Sequence, residues 1–287
     1  MSSSQVSFPP SDAAFFHQPA SKIWRGWPIA YWGIRLTLKS IWTQIMLFFA
    51  WLTTLGFASL LLVDYFGAPL DFMTLRDFLH WQQREVVLFT AIIGAGLIAS
   101  DMEERAILLY FCRPISRWQY LIGKLSIVGF YFFWMILAPA LTVLILEVAL
   151  RPKATIANWS LFLTAIGCSL TYSTIILLTL GLFTLGISAL ASNRKVACVL
   201  WIGFYFLSEV VYLFFTIGTH RYLDEWAQWM QLISYRRNIE IVGDWIFQPW
   251  TTTRPPVVDW YYPAAILTLI SALSVRIIFK RIQKETS

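Results

Sequence analysis

Apolar residues along this chain gather in long uninterrupted blocks rather than in short alternating runs. The hydrocarbon core of a bilayer takes about 20 consecutive apolar residues in a helix. Ile41 to Val63 is the first such block; it carries no charge and follows Lys22, Arg25, Arg35 and Lys39. The second is shorter, Val86 to Ser100 between Glu85 and Asp101. We place that span at 82–100, extendable backward through Leu79 and Trp81, because Arg84 and Glu85 near an end can reach the interface. Leu125 to Leu150 is the third block, with Glu147 near its far end. Pro139 within it removes a backbone donor and crowds the preceding turn, so a kink is expected there.

Trp159 to Ser192 is uncharged throughout. At about 1.5 Å per residue it is too long for one upright span, and two spans with a turn need roughly 40 residues. It predicts one tilted or broken helix. Val196 to Ile217 is the fifth block and contains Glu209; Trp260 to Phe279 is the sixth, with Arg276 near its end. In lipid every backbone polar group must be satisfied internally, so spans are helices or closed barrels. Barrel strands are about 10 residues long with alternating polarity, a pattern absent from this sequence. The expected fold is therefore an all-α polytopic membrane protein with six transmembrane helices, an N-terminal amphipathic helix and short outer helices between spans five and six: a mobile tail over 1–20 and one transmembrane domain over 21–287.

Composition agrees. The chain has 287 residues, 58% hydrophobic and 13% charged, whereas a soluble domain carries about 25% charged residues. The net charge of +6 does not point to nucleic acid, because Lys and Arg are spread through short loops and build no basic face. Their distribution bears on orientation instead. With the N-terminus inside and six spans, fourteen of the 22 Lys and Arg fall inside and eight outside, the bias of the positive-inside rule. Dividing the fourth block in two would move Lys280, Arg281 and Lys284 outside and weaken it. Both ends are thus expected in the cytoplasm. The tail lacks the apolar core of a cleaved signal peptide. Cys112, Cys168 and Cys198 are far apart and read as apolar fillers with free thiols.

Three regions outside the spans are candidates for function. Over Ser21 to Ser40, Trp24, Trp27, Tyr31, Ile34 and Leu38 recur at helical spacing among basic residues, which predicts an amphipathic helix in the inner interface; the same residues also suit the wet start of the first span. The inside loop, 101–124, begins with acids and ends with bases. Pro114 can open a short helix, with Ser116 to Tyr120 forming about one exposed turn that carries Arg117. The loop is longer than two spans need for a connection. Ile107, Leu108, Leu109, Tyr110 and Phe111 within it fit either a docking surface or an extension of the second span. The outside region, 218–259, shows an apolar helical face at Leu223, Trp226, Ala227, Met230 and Ile233 and a second cluster at Trp245, Ile246, Phe247 and Trp250. Short helices dipping into the outer leaflet and an ordinary aromatic belt both suit it.

Asp101, Glu103, Glu104, Leu108-Leu109, Arg113-Pro114-Ile115-Ser116-Arg117, Tyr120 and Lys124 resemble the signature of type-2 ABC exporter permeases. That family has an acidic motif ending the second span, an (Arg/Ser)-Pro-(Ile/Val)-(Ser/Thr)-Arg stretch, then Gly-Lys. It also has an N-terminal elbow helix, here carried by Trp24, Trp27 and Tyr31. One departure is that Arg105 and Ala106 stand where the family often has Gly and Thr. The resemblance implies a two-fold assembly with a second permease copy or a related permease, bound to two ABC ATPase subunits in the bacterial inner membrane among its lipids. ATP and Mg would sit on the partner ATPase and no cofactor on this chain, which has no Gly-x-x-x-x-Gly-Lys-Ser/Thr loop. By the resemblance, Arg113 to Tyr120 would be a coupling helix, with Asp101, Glu103 and Glu104 anchoring it through ion pairs to Arg105, Arg113 or Arg117.

A carboxylate at mid-bilayer is costly and is usually paired or faces a cavity. Glu209, with Tyr205, Ser208 and Tyr212 as helical neighbours, and Glu147 near Arg151 are therefore candidates either for the pathway or for helix packing. The isolated His17, His80 and His220 form no metal-type pattern with the acids, and no nucleophile–base constellation is legible. Two other functions compete with a permease: a non-transporting membrane anchor of an ATPase complex, and an intramembrane lipid-modifying enzyme, for which only scattered acids are available.

Overall fold

In the computed structural model the described residues are 26–66, 75–111, 115–150, 159–219, 229–247 and 258–286. They are helical with no strand among them, and six helical runs are long and apolar enough to cross a membrane. Trp24, Arg113, Pro114, Leu223, Trp226, Ala227 and Trp250, named above, lie outside the described residues, as do residues 1–20.

Helix α1 (Trp27–Leu38) leads into α2 (Ile41–Tyr65), the first span. The second span is α3 (Leu75–Ile92), a tight turn at Gly94–Gly96, and α4 (Ala99–Glu103); the short α5 (Ala106–Phe111) follows. The third is α6 (Arg117–Phe132), a widened turn at Phe133–Leu137, and α7 (Ala138–Leu150). The fourth is α8 (Trp159–Ile176), a widened turn at Leu177–Gly181, and α9 (Leu182–Leu190). Helix α10 (Arg194–Thr219) is the fifth span, α11 (Tyr235–Ile246) a connecting helix, and α12 (Tyr261–Thr286) contains the sixth.

The widened turn before Pro139 has a simple cause. Pro139 has no N–H for the carbonyl one turn back, and its ring crowds that turn. The Ala138 N–H reaches the Phe133 carbonyl instead, five residues back, so the expected kink takes the form of a π-type bulge. The fourth block is a single run, as its length required.

Spans two and four form the centre. About two-thirds of each most apolar window is buried (67%), against 17–33% for the other four. Close approach is set by small residues: a Cβ on Gly186 of α9 would stand 2.7 Å from that of Ser274 on α12. Apolar side chains of α2 and α10, such as Phe48, Leu55, Val199 and Phe214, point away from the protein, where lipid or another apolar surface covers them.

We call the end of the bundle carrying residues 101–124 proximal and the end carrying α11 distal. Helix α1 packs along α6: Cβ atoms on Gly26 and Gly33 would collide with Gln119 and Ile127, and the Thr37 and Tyr131 hydroxyls meet at 2.6 Å. These pairs advance in step, so α1 and α6 run side by side. Ile29 and Ala30 are buried in the contact, whereas Trp27, Tyr31, Trp32 and Leu36 remain exposed. The Trp27–Tyr31 stripe is thus the outward face of a helix whose other face is held by protein.

Candidate functional site

The proximal half of span two is where the chain departs most from regular helix. The tight turn at Gly94–Gly96 frees backbone groups that lipid cannot satisfy, and three other spans supply partners. Ser188 of α9 accepts from the N–H groups of Ile98 and Ala99, both at 2.9 Å. Lys124 of α6 donates to the Leu97 carbonyl at 2.8 Å. Arg194 at the start of α10 donates to the Ile92 carbonyl at 3.3 Å. Its stem crosses Gly96 so closely that a Cβ there would stand 2.7 Å from Cγ.

Below the turn sits a buried polar lock. Lys124 Nζ lies 2.6 Å from Asp101 Oδ2, and the Tyr120 hydroxyl donates to the same oxygen at 2.7 Å. All three side chains are buried, with residue exposures of 9% for Asp101, 0% for Tyr120 and 5% for Lys124. The lock fastens the end of span two to the start of span three and so closes the loop between them at its base.

The loop differs from expectation in its helix. Ser116 caps α6, its Oγ accepting from the Gln119 N–H at 3.2 Å while the Gln119 side chain accepts from the Ser116 N–H at 2.9 Å. This reciprocal box starts a helix efficiently, and no breaker follows before the span. The expected single turn at Ser116–Tyr120 is therefore the first turn of α6, continuous with the third span. The separate short helix is α5, from the stretch that sequence left open between docking surface and span extension. Arg105 joins α4 to α5 with φ of 54°, a left-handed conformation that glycine adopts freely and other residues at a cost.

Glu103, Glu104, Ser116 and Arg117 are exposed and Ile115 is half-buried. The anchoring pairs expected of the acids with Arg105 and Arg117 do not form among the described residues; Asp101 turns inward to Lys124 instead. Span six braces the loop from the side, with the rings of Phe279 and Trp118 4.6 Å apart edge to face and Arg281 donating to the Met102 sulfur. A cleft of about 330 Å³ opens between α1 and the span-two turn, lined by Trp32, Leu36, Leu97, Asp101, Glu104, Tyr110, Lys124 and Arg194 among others. Burial, then the Asp101 and Glu104 charges, push the Tyr110 phenol above its ordinary range, so it stays a neutral donor.

At the distal end Glu209 does not stand alone. It accepts from Ser234 and Arg236, the latter at 3.2 Å, and Arg236 also pairs with Glu240. Asp244 accepts from Arg76 at 2.6 Å and lies 3.1 Å from His80. Burial raises the Asp244 carboxyl, but the hydrogen bonds and charge of His80 and Arg76 outweigh it and hold the group below its ordinary range. These contacts fix α11 to spans two and five, and Gly243 brings it against the Tyr172 ring of span four. The apolar signal around this helix placed attention on its flanks: Met230–Ile233 is only a short tight turn, and Trp245–Phe247 is the end of α11. A short helix was expected between spans five and six, but the charged positions Arg236, Arg237, Glu240 and Asp244 hid its extent. Glu147 is exposed on α7 and does not belong to this network.

The family described as ABC-2 family transporter protein matches residues 85–279. The chain belongs to that family. The match covers the lock, the broken half of the second span and α11, and makes the chain a transmembrane permease, the membrane subunit of a transporter. Membership implies an ABC ATPase partner in general. Comparison with individual curated proteins gives no match. Within this ABC-2 permease, Asp101, Tyr120 and Lys124 are among the positions that the sequence resemblance assigned to coupling, and they form one buried unit.

Proposed function

We propose that this permease is the membrane subunit of an ATP-driven exporter. Two copies, or one copy with a related permease, would assemble with two ATPase subunits in the bacterial inner membrane, with both chain ends cytoplasmic. ATP and Mg would be bound by the ATPase. The surface offered to it would be the proximal loop: Glu103 and Glu104, Ile115 to Arg117 and the flanking α5, to which the sequence resemblance adds Arg113 and Pro114.

The observation that carries this reading is the buried Asp101–Tyr120–Lys124 lock beneath an exposed, charged loop. An exposed docking surface transmits motion only if its base is stiff. The lock joins spans two and three at that base, so a push on the loop displaces both together rather than flexing the connection. Glu209 would act at the far end by holding α11 against the bundle, so that α11 moves when span five moves. Glu147 would face lipid or a partner permease along the pathway's outer wall.

The test is Arg117→Glu in the full chain, co-expressed with the ATPase encoded beside it. Arg117 is exposed, so the variant should fold. The reading expects loss of co-purification, or of permease-dependent ATP hydrolysis. Retention of both would remove the loop from coupling.

A further inference from the structure

The proximal cleft has features that coupling does not use. It opens beside Trp32 and Leu36, which are 63% and 72% exposed. Its polar lining is balanced, with two carboxylates and two cations. Of these, Asp101 and Lys124 are committed to each other, and the ammonium is further satisfied by the Leu97 carbonyl. Glu104 and Arg194 remain. Arg194 gives one hydrogen bond, to the Ile92 carbonyl at 3.3 Å, out of the five donors a guanidinium carries. Glu104 has no ion-pair or hydrogen-bond partner among the described residues and is exposed. One free anion and one under-used cation thus line the same opening, next to an apolar helix face.

We propose that this cleft binds the headgroup of a zwitterionic aminophospholipid, with its phosphate on Arg194 and its ammonium on Glu104. The charge pattern selects the class. An anionic lipid would satisfy Arg194 but leave the Glu104 carboxylate without a cation. A cationic amphiphile would satisfy Glu104 but meet Arg194. Size selects the part of the lipid that enters: about 330 Å³ lies at the low end of ligand sites, roughly 300–1,000 Å³, and suits a headgroup. The acyl chains would leave along Trp32 and Leu36. A guanidinium suits phosphate because its planar fork matches two oxygens at once. Its position is built: Gly96 has no side chain to deflect the Arg194 stem. Glu104 also belongs to the surface offered to the ATPase, but lipid retention is read on the permease alone, so its failure and the failure of the coupling reading are distinguishable.

The experiment is native mass spectrometry of the purified full-length permease, offered phosphatidylethanolamine, phosphatidylcholine and phosphatidylglycerol at equal concentration. Retention should favour phosphatidylethanolamine over phosphatidylglycerol by roughly tenfold, the worth of one charge-assisted hydrogen bond. Glu104→Gln should weaken the preference for phosphatidylethanolamine over phosphatidylcholine, whose quaternary nitrogen has no N–H, because the amide oxygen still accepts but carries no charge. Arg194→Gln should weaken retention of both, and Arg194→Lys should restore part of it. Because Glu104 is exposed, its variant carries the test even if Arg194→Gln misfolds. Equal or better retention of phosphatidylglycerol by the unaltered chain overturns the proposal, as does an unchanged preference in Glu104→Gln. Displacement of the lipid by inorganic phosphate would mark a site for the free anion and overturn it too.

Discussion

Removing one member of the buried lock should cost far more than removing two. In Lys124→Met the Asp101 carboxylate stays buried with only the Tyr120 hydroxyl as donor, and the Leu97 carbonyl loses its partner. Breaking a buried pair from one side typically costs about 3–5 kcal/mol, because the remaining charge is uncompensated. Asp101→Asn strands the ammonium on the Leu97 carbonyl and should cost a similar amount. In the double variant no charge is buried, the amide oxygen introduced by Asp101→Asn can still accept from Tyr120, and the main loss is the unpaired Leu97 carbonyl, about 1–3 kcal/mol. The double variant should therefore be more stable than either single, with a coupling of several kcal/mol. Equilibrium unfolding in mixed micelles, read by far-ultraviolet circular dichroism on all four proteins, measures this cycle. An exposed pair would give singles of about 1 kcal/mol or less that add. Additivity within about 0.5 kcal/mol would refute the lock as a buried unit.

Three further outcomes follow from particular contacts. Arg105→Gly should raise stability by roughly 0.5–1 kcal/mol and Arg105→Val should lower it by more, because the left-handed φ of 54° strains a β-branched residue and not glycine; a fall in unfolding midpoint for the glycine variant would contradict this. Asp244 is held below its unfolded value by Arg76 and His80, so its contribution is complete above about pH 4 and is lost as pH falls through the lower folded value. Deuterium uptake over Tyr235–Ile246, corrected for intrinsic exchange, should rise on acidification, and Arg76→Gln should flatten that dependence; equal profiles would rule out the latch. Ser188→Ala leaves two buried N–H groups without their acceptor, at about 1–3 kcal/mol each, and should loosen exchange over 93–99 while leaving 117–124 protected. Loosening of both segments would mean that the lock depends on Ser188.

Much of the architecture was legible because bilayer thickness imposes a length on apolar blocks. Trp159–Ser192 is the clearest case: too long for one upright span and too short for two, it is one run with a widened turn. Asp101, Tyr120 and Lys124 were also legible as a group, but not as a buried one. Spacing places Tyr120 and Lys124 one turn apart on α6, yet nothing in the sequence says that Asp101 faces them. The break at Gly94–Gly96 fell inside an uninterrupted apolar block, where two glycines are common and no polar signal marks the partners; those partners, Ser188 and Arg194, come from other spans. A short helix was expected between spans five and six, but the extent of α11 was hidden for the opposite reason. Its inward face includes Asn238 and Glu240, satisfied by tertiary partners, so a search for apolar periodicity passes over it.

The partners of the broken turn are unequal, and that inequality indicates which joint yields first. Span two is tied to span three by a buried ion pair with a shared hydroxyl, to span four by two neutral hydrogen bonds, and to span five by two long bonds to the Ile92 carbonyl, 3.3 Å from an exposed arginine and 3.8 Å from the Cys198 thiol. Neutral bonds contribute about 1 kcal/mol each net, whereas splitting the ion pair costs several. Displacement of the proximal half of span two therefore carries span three with it and slides against spans four and five. Gly96 lets the Arg194 stem lie flat over the turn, so this sliding changes the opening between Glu104 and Arg194. Motion at the loop and the shape of the cleft are thus set by the same pair of joints, the strong one moving as a body and the weak one opening.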